Sequence, residues 1–161
     1  MLKKSNTSGS HAKTESKCLK IRAHHLCCIQ GFQGYGYSPV FVANLRAIIS
    51  DIKAFPSRLL ELVSECDAIC ASCPGKRECA AQESNSSREI RNMDLVVMEK
   101  LKIKEGTIMK AYEAFRLVNS LLNNASDIED VCGTCKWRQK CLWYMQDNNK
   151  LMMDISSIPD L

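Results

Sequence analysis

The sequence predicts a mainly α fold: a single small domain, α+β with at most a small strand pair, that carries two cysteine-rich metal-binding loops. Three observations lead there. Apolar residues recur at helical spacing in three long segments, and nothing comparable alternates with the period of a sheet. The spacing C-x2-C-x5-C occurs twice, at Cys70, Cys73 and Cys79 and again at Cys132, Cys135 and Cys141. Finally, 161 residues of which 45% are hydrophobic and 25% charged suffice to bury one core without cross-links, so ten cysteines need another explanation.

Residues 1–17 are polar, with little apolar content to repay the entropy of ordering, and are expected to be a disordered tail ahead of one domain spanning 18–161. The tail has no apolar stretch of the kind found in a secretory signal. No segment approaches the roughly 18 to 20 uninterrupted apolar residues of a membrane span, the best, MDLVVMEKL, being broken by charges. A cytoplasmic protein without membrane association is expected. Of the formal charge of +4, most comes from Lys3, Lys4, Lys13 and Lys17, opposed in that segment only by Glu15. The body is close to neutral and lacks the concentrated basic face by which nucleic-acid binders displace phosphate counterions, so nucleic acid is not an expected partner.

KIRAHHLCCIQGF reads as a short apolar element ending where QGYGY supplies two glycines for a turn. A helix follows over YSPVFVANLRAIISDIKAF, with Ser38 as N-cap, Pro39 at the first helical position, Val40, Ala43, Ala47 and Ile48 on one face, and Pro56 as its stop. RLLELVSE is too short for periodicity to decide and is assigned to a strand. Two helices then fill the space between the triplets: SSREIRNMDLVVMEKL, starting from a serine cap, and TIMKAYEAFRLVNSLLN, where Ile108, Ala111, Tyr112, Phe115, Val118 and Leu122 form a core-facing stripe.

In a reducing cytosol, cysteines at C-x2-C spacing point to metal ligation before a disulfide framework. A C-x2-C pair in a tight turn brings two thiolates to one metal, and a third cysteine six positions on can fold back to join them. The two triplets match beyond their cysteines: Ile69 pairs with Val131, Ala71 with Gly133, Ser72 with Thr134 and Lys76 with Arg138. Small or hydroxyl-bearing residues between the paired cysteines let backbone N–H groups turn toward sulfur, which stabilises and tunes a bound cluster. Buried reduced cysteines acting as small hydrophobes would not explain the spacing.

Each triplet needs a fourth ligand for a tetrahedral zinc site or a four-thiolate iron–sulfur cluster. Cys66 can close the first set locally. The second must borrow from a distance, and AHHLCC offers His24, His25, Cys27 and Cys28. On a helix His24 and Cys28 share a face, while adjacent histidines diverge by about 100°, so one histidine at most, with His24 as the candidate, joins Cys28. Cys66-x3-Cys70-x2-Cys73 also has the spacing used by radical S-adenosylmethionine enzymes, but the chain is short for their β/α barrel and Cys79 could occupy the iron that such chemistry leaves open.

IRAHHLCCIQGFQGYGYSPVFVANLRAI resembles the opening of a family of small bacterial and archaeal proteins, a domain of unknown function whose members begin R-x-H-H-L-L-C and continue G-x-G-Y-S-x-x-F. The likeness runs through Arg22, His24, His25, Leu26, Cys28, Gly34, Gly36, Tyr37, Ser38 and Phe41, and DAICASCP resembles its D-x-I-C segment. It implies iron–sulfur binding, suggested for that family without an assigned activity. Cys27 stands where the family has leucine, and Cys66 lies outside its pattern. The candidate ligands are thus His24, Cys28, Cys66, Cys70, Cys73, Cys79, Cys132, Cys135 and Cys141. Three readings follow: an iron–sulfur protein, with one or two 4Fe-4S clusters, an unknown redox or protein partner, and Trp137, Trp143 and Tyr144 around the second set; a zinc-bearing structural or interaction module; or an enzyme using Arg22, His24 and His25 beside a metal.

Overall fold

The computed structural model describes residues 18–145, so the tail at 1–17 and the last residues of the expected domain lie outside it. Strand β1 (Leu19–Arg22) leads through Ala23 into helix α1 (His25–Gly31), and α2 (Pro39–Ala54) returns the chain to β2 (Leu59–Val63). A 3-10 turn at Cys70–Ser72 and the short α3 (Lys76–Ala81) carry the first triplet, followed by α4 (Asn85–Leu101), β3 (Thr107–Lys110), α5 (Ala111–Leu121) and α6 (Ala125–Cys132). A 3-10 turn at Arg138–Lys140 and α7 (Leu142–Met145) complete the second cysteine segment. The fold is mainly α, as expected.

The sheet has the order β1-β2-β3 and gains a third strand over the expected pair. β1 runs parallel to β2, with Ile21 opposite Leu62 and Arg22 opposite Val63, and β3 pairs antiparallel to β2. Its core face is Ile21, Leu60 and Leu62, all fully buried. In LLELV the exposed Leu59 and half-buried Glu61 alternate with the buried Leu60 and Leu62, a period of two that is hidden in the sequence because Leu59 also reads as apolar.

Three expectations are corrected. The stripe of α2 is Phe41, Leu45, Ile48, Ile49 and Ile52, whereas Val40, Ala43 and Ala47 face outward; alanine's small side chain gives little burial to choose a face, and the isoleucines choose it instead. The helix at TIMK is β3: Gly106, at a φ of +77°, donates from its N–H to the Leu62 carbonyl at 2.9 Å and aligns the next four residues against β2, leaving Ile108 outward while α5 begins at Ala111. Tyr112 is likewise exposed, and Ala111, Phe115, Val118 and Leu122 remain the buried stripe. Finally, α4 starts at Asn85 with Ser84 as its cap, accepting from the Ser87 N–H at 3.1 Å, ahead of the serines expected to begin it.

Helix α1 packs on α7 and α5, and α4 packs on α6 and α5. The first and last described helices thereby meet over the core, and both cysteine segments are brought to the side where β1 ends. No helix among the described residues is long and apolar enough to cross a membrane.

Candidate metal centre

The repeated triplet is a repeated structure. The Cys73 N–H donates to the Cys70 carbonyl at 3.0 Å and the Cys135 N–H to that of Cys132 at 2.9 Å; Lys76 N to Cys73 O and Arg138 N to Cys135 O follow at 3.1 and 3.3 Å. Before each turn Ile69 and Val131 are buried as the anchors that the alignment pairs. The copies then diverge, since Cys79 sits on α3 while Cys141 follows a 3-10 turn. In the second turn the Trp137 N–H, two residues past the paired cysteines, donates to Cys135 Sγ at 3.4 Å.

Each triplet has a further cysteine in its neighbourhood. The Cys66 thiol donates to the Lys76 carbonyl at 4.0 Å and lies near Cys79 and Cys70. The Cys28 thiol on α1 lies within electrostatic reach of Cys141, Cys135 and Cys132, and the buried Cys27 beside it of Cys132 and Cys141. Gly31 makes this approach feasible. A side-chain carbon there would overlap Cys141 Sγ and come within 2.8 Å of the Trp143 backbone nitrogen. Gly31→Ala is therefore expected to push α1 off the second set, costing about 1–3 kcal/mol of stability. Thermal melting and bound metal both report it, and unchanged values in both would remove the close approach from the argument.

Burial and the neighbouring thiols raise the Cys28 thiol well above its ordinary value, and burial, Cys141 and Cys135 push Cys132 up to about 12. Without metal these sulfurs hold their protons, and ligation must displace them. A cavity of about 380 Å³ is lined by Cys28, Cys132, Cys135 and Cys141 on one side and by Cys70, Cys73 and Cys79 on the other. Cys66 reaches its set from outside that lining. Trp137, Trp143 and Tyr144 line the second side, and Trp143 is a core residue whose buried indole nitrogen has no hydrogen-bond partner among the described residues. Four convergent thiols beside an orphaned N–H donor suit an electron-rich, sulfur-bound group, because such a donor is costly to bury without an acceptor.

The histidines are held by carboxylates on which the sequence reading placed no role. His24 Nδ1 lies 2.6 Å from Asp94 Oδ1, and His25 Nδ1 2.6 Å from Asp67 Oδ2. The rings do not diverge as expected: their centroids are 4.3 Å apart, because the helix begins only at His25 and both rings are drawn to carboxylates packed on the same side. Among the described residues, His25, Asp67 and Cys70 have donor atoms within 4.8 Å of one another, and no three cysteine sulfurs meet that spacing. Asp67 is saturated, however. It accepts the N–H groups of Arg22, Ile69 and Cys70 besides the His25 contact, so it serves as the post on which the first turn is built. Burial would raise its carboxyl, but His25 and these N–H groups hold it well below the usual range.

Arg22 is buried, and its guanidinium is held by three partners. Its Nε and Nη2 reach Asp94 Oδ2 at 2.8 and 2.6 Å, Nη1 donates to Cys79 Sγ at 3.0 Å, and Nη2 to the Ser64 carbonyl at 3.3 Å. Asp94 holds both sides of this network, since its Oδ1 also accepts the His24 backbone N–H at 3.0 Å. A signal for it exists in the sequence: Asp94, Val97, Met98 and Leu101 form one buried stripe of α4, so an acid stands on the apolar face of a helix.

The fold and this site define a small, cysteine-rich, mainly α protein in which both cysteine triplets and Cys28 line one cavity. Residues 36–141 match the family described as protein of unknown function (DUF1284), and the chain belongs to that family. The R-x-H-H opening, including Cys28, lies ahead of the matched residues. No curated protein and no solved structure matches the chain.

Proposed function

We propose that the protein binds two iron–sulfur clusters of the 4Fe-4S type and uses them for electron transfer or redox sensing. The observation that supports this reading is the doubled C-x2-C-x5-C turn, which brings cysteines of both segments, with Cys28, to one cavity. Zinc ribbons and fingers pair C-x2-C with a second C-x2-C or with H-x3-H, so the third cysteine at x5 favours a cluster over the zinc module.

A bound cluster supplies one-electron chemistry at low energetic cost. The chain's own residues give each set a different setting. Arg22 brings a positive charge and an N–H donor to Cys79, while Trp143, Cys27 and the core of α1 limit water at the second set. The open thiols suit a reducing compartment, which favours the cytoplasm. On anaerobically purified protein, iron and acid-labile sulfide are expected in equal amounts at about eight of each per chain for two cubane clusters, with a broad visible absorption. Stoichiometric zinc in colourless protein would defeat the reading, and half that iron would reduce it to one cluster.

A further inference from the structure

We propose that the face formed by Tyr35, Tyr37, Trp137, Lys136 and Lys140 docks an acidic redox protein, through which electrons reach or leave the thiol-lined cavity. The proposal rests on the cluster reading above. Tyr35 and Tyr37 are 52% and 50% exposed beside the outward-facing Val40, an apolar and aromatic patch that the fold itself does not cover. Tyr37 stacks edge-on to Trp137 at 5.2 Å and lies within electrostatic reach of Cys73, Cys135 and Cys28, members of both sets. Cys73, Cys135 and Cys141 are only partly buried and share the cavity lining with Tyr35, Tyr37 and Trp137, so sulfur lies close to this face. The patch is also held in place: the Gln33 amide donates to the Lys140 carbonyl at 3.1 Å, and Lys140 Nζ sits 4.6 Å from the centre of the Tyr35 ring.

The charge of this face has one sign. Neither residues 23–50 nor residues 131–145 contain an aspartate or glutamate, while Arg46, Lys136, Arg138 and Lys140 all stand there, three of them exposed. Three carboxylates lie outside these segments: Glu129, which accepts from the Tyr144 hydroxyl at 2.8 Å, Glu78, which follows Lys76 and Arg77 in sequence, and Glu89 on α4, the last two also lining the cavity. An aromatic centre with a basic rim suits the small, weak interfaces of electron carriers, where complementary charge steers encounter. Four cations around an aromatic centre, on a chain whose body is near neutral, suit a compact acidic surface better than an extended polyanion.

The test uses holoprotein, reduced anaerobically, with two inorganic oxidants that each take one electron as cobalt(III) becomes cobalt(II): the tris(oxalato) trianion and the hexaammine trication. The cluster loses that electron, and no proton or ligand moves. The oxalato rate should fall as salt rises, and Lys136→Glu with Lys140→Glu should cut it at least tenfold while raising the hexaammine rate. Iron and sulfide content of the same samples should be unchanged. Rates with the same salt dependence for both oxidants, unmoved by charge reversal, would overturn the proposal while leaving the cluster reading intact. Salt-sensitive binding of a single-stranded oligonucleotide, lost in the double variant, would overturn it by giving the face to nucleic acid. Absence of iron from the wild type would instead defeat the underlying reading.

Discussion

Asp94→Ala is expected to destabilise the protein by about 3–5 kcal/mol, the range for removing one partner of a buried ion pair. The residue is fully buried on α4, and its two oxygens serve Arg22 and both the backbone and ring nitrogens of His24. Its loss leaves a guanidinium that is only 2% exposed without its carboxylate, and two His24 nitrogens without an acceptor. Against a typical total of about 5–15 kcal/mol, that is enough to leave much of the population unfolded near physiological temperature. Asp94→Asn keeps the shape and an acceptor oxygen and should lose less. Urea unfolding measures both. A midpoint for the alanine variant equal to that of the wild type would show that the network is not a structural keystone.

Acid should act on the same carboxylate. Burial alone would raise the Asp94 carboxyl, but the His24 ring and the Arg22 guanidinium outweigh it and hold the group below its ordinary value. Its contribution is therefore complete above the unfolded value of about 4 and lost as pH falls through the lower folded value. Asp67, also held low, adds to the same loss. Burial lowers His24 and keeps its ring neutral, so acid again favours the unfolded chain, beginning near its unfolded value of about 6.5. The alanine variant should show a flatter fall of stability below about pH 4 than the wild type.

The second large effect concerns Cys28. Cys28→Ser is expected to remove the same cluster as Cys132→Ser, halving iron and sulfide, while Cys66→Ser and Cys70→Ser remove the other. Because bound metal counts toward folding free energy, each loss should also lower the melting temperature. Combining Cys28→Ser with Cys132→Ser should cost no more metal than either alone, since partners in one site do not add. Additive losses, or full iron in Cys28→Ser, would separate Cys28 from the second set. Cys27→Ala should keep both clusters and show only the cost of a small core cavity.

What the sequence made legible was the chemistry that closes locally. Ser38, Pro39 and Pro56 bracket a helix that runs over Pro39–Ala54 with the Ser38 hydroxyl accepting from Phe41 N–H, because capping and proline geometry act over a few residues. The doubled triplet announced two similar turns, and two similar turns formed. The apolar stripe of α5 told less about its start, since Thr107–Lys110 fits a helix by period and becomes a strand only because β2 offers an open edge. The pairing of Asp94 with Arg22 and His24 and of Asp67 with His25 joins residues far apart in the chain. Only the fold decides which acid meets which base. Helix α6, short and mostly polar on its outer face, offers no apolar stripe long enough to announce it, although Cys132 is its last residue.

The unequal reach of the two cysteine sets bears on biosynthesis. The first set lies wholly within residues 66–79, so a chain still leaving the ribosome already carries all of its thiols. The second joins a helix near the start to the last described segment, with Gly31 pressed against Cys141. It exists only after translation has passed Cys141 and α1 has met α7. A carrier delivering metal would thus find one acceptor on the nascent chain and the other only on the finished one. On the proposed reading, Cys28 stays unliganded until then, open to oxidation and to competing thiol-seeking ions. Truncation or slowed synthesis would therefore harm the two sites in a fixed order, the second before the first.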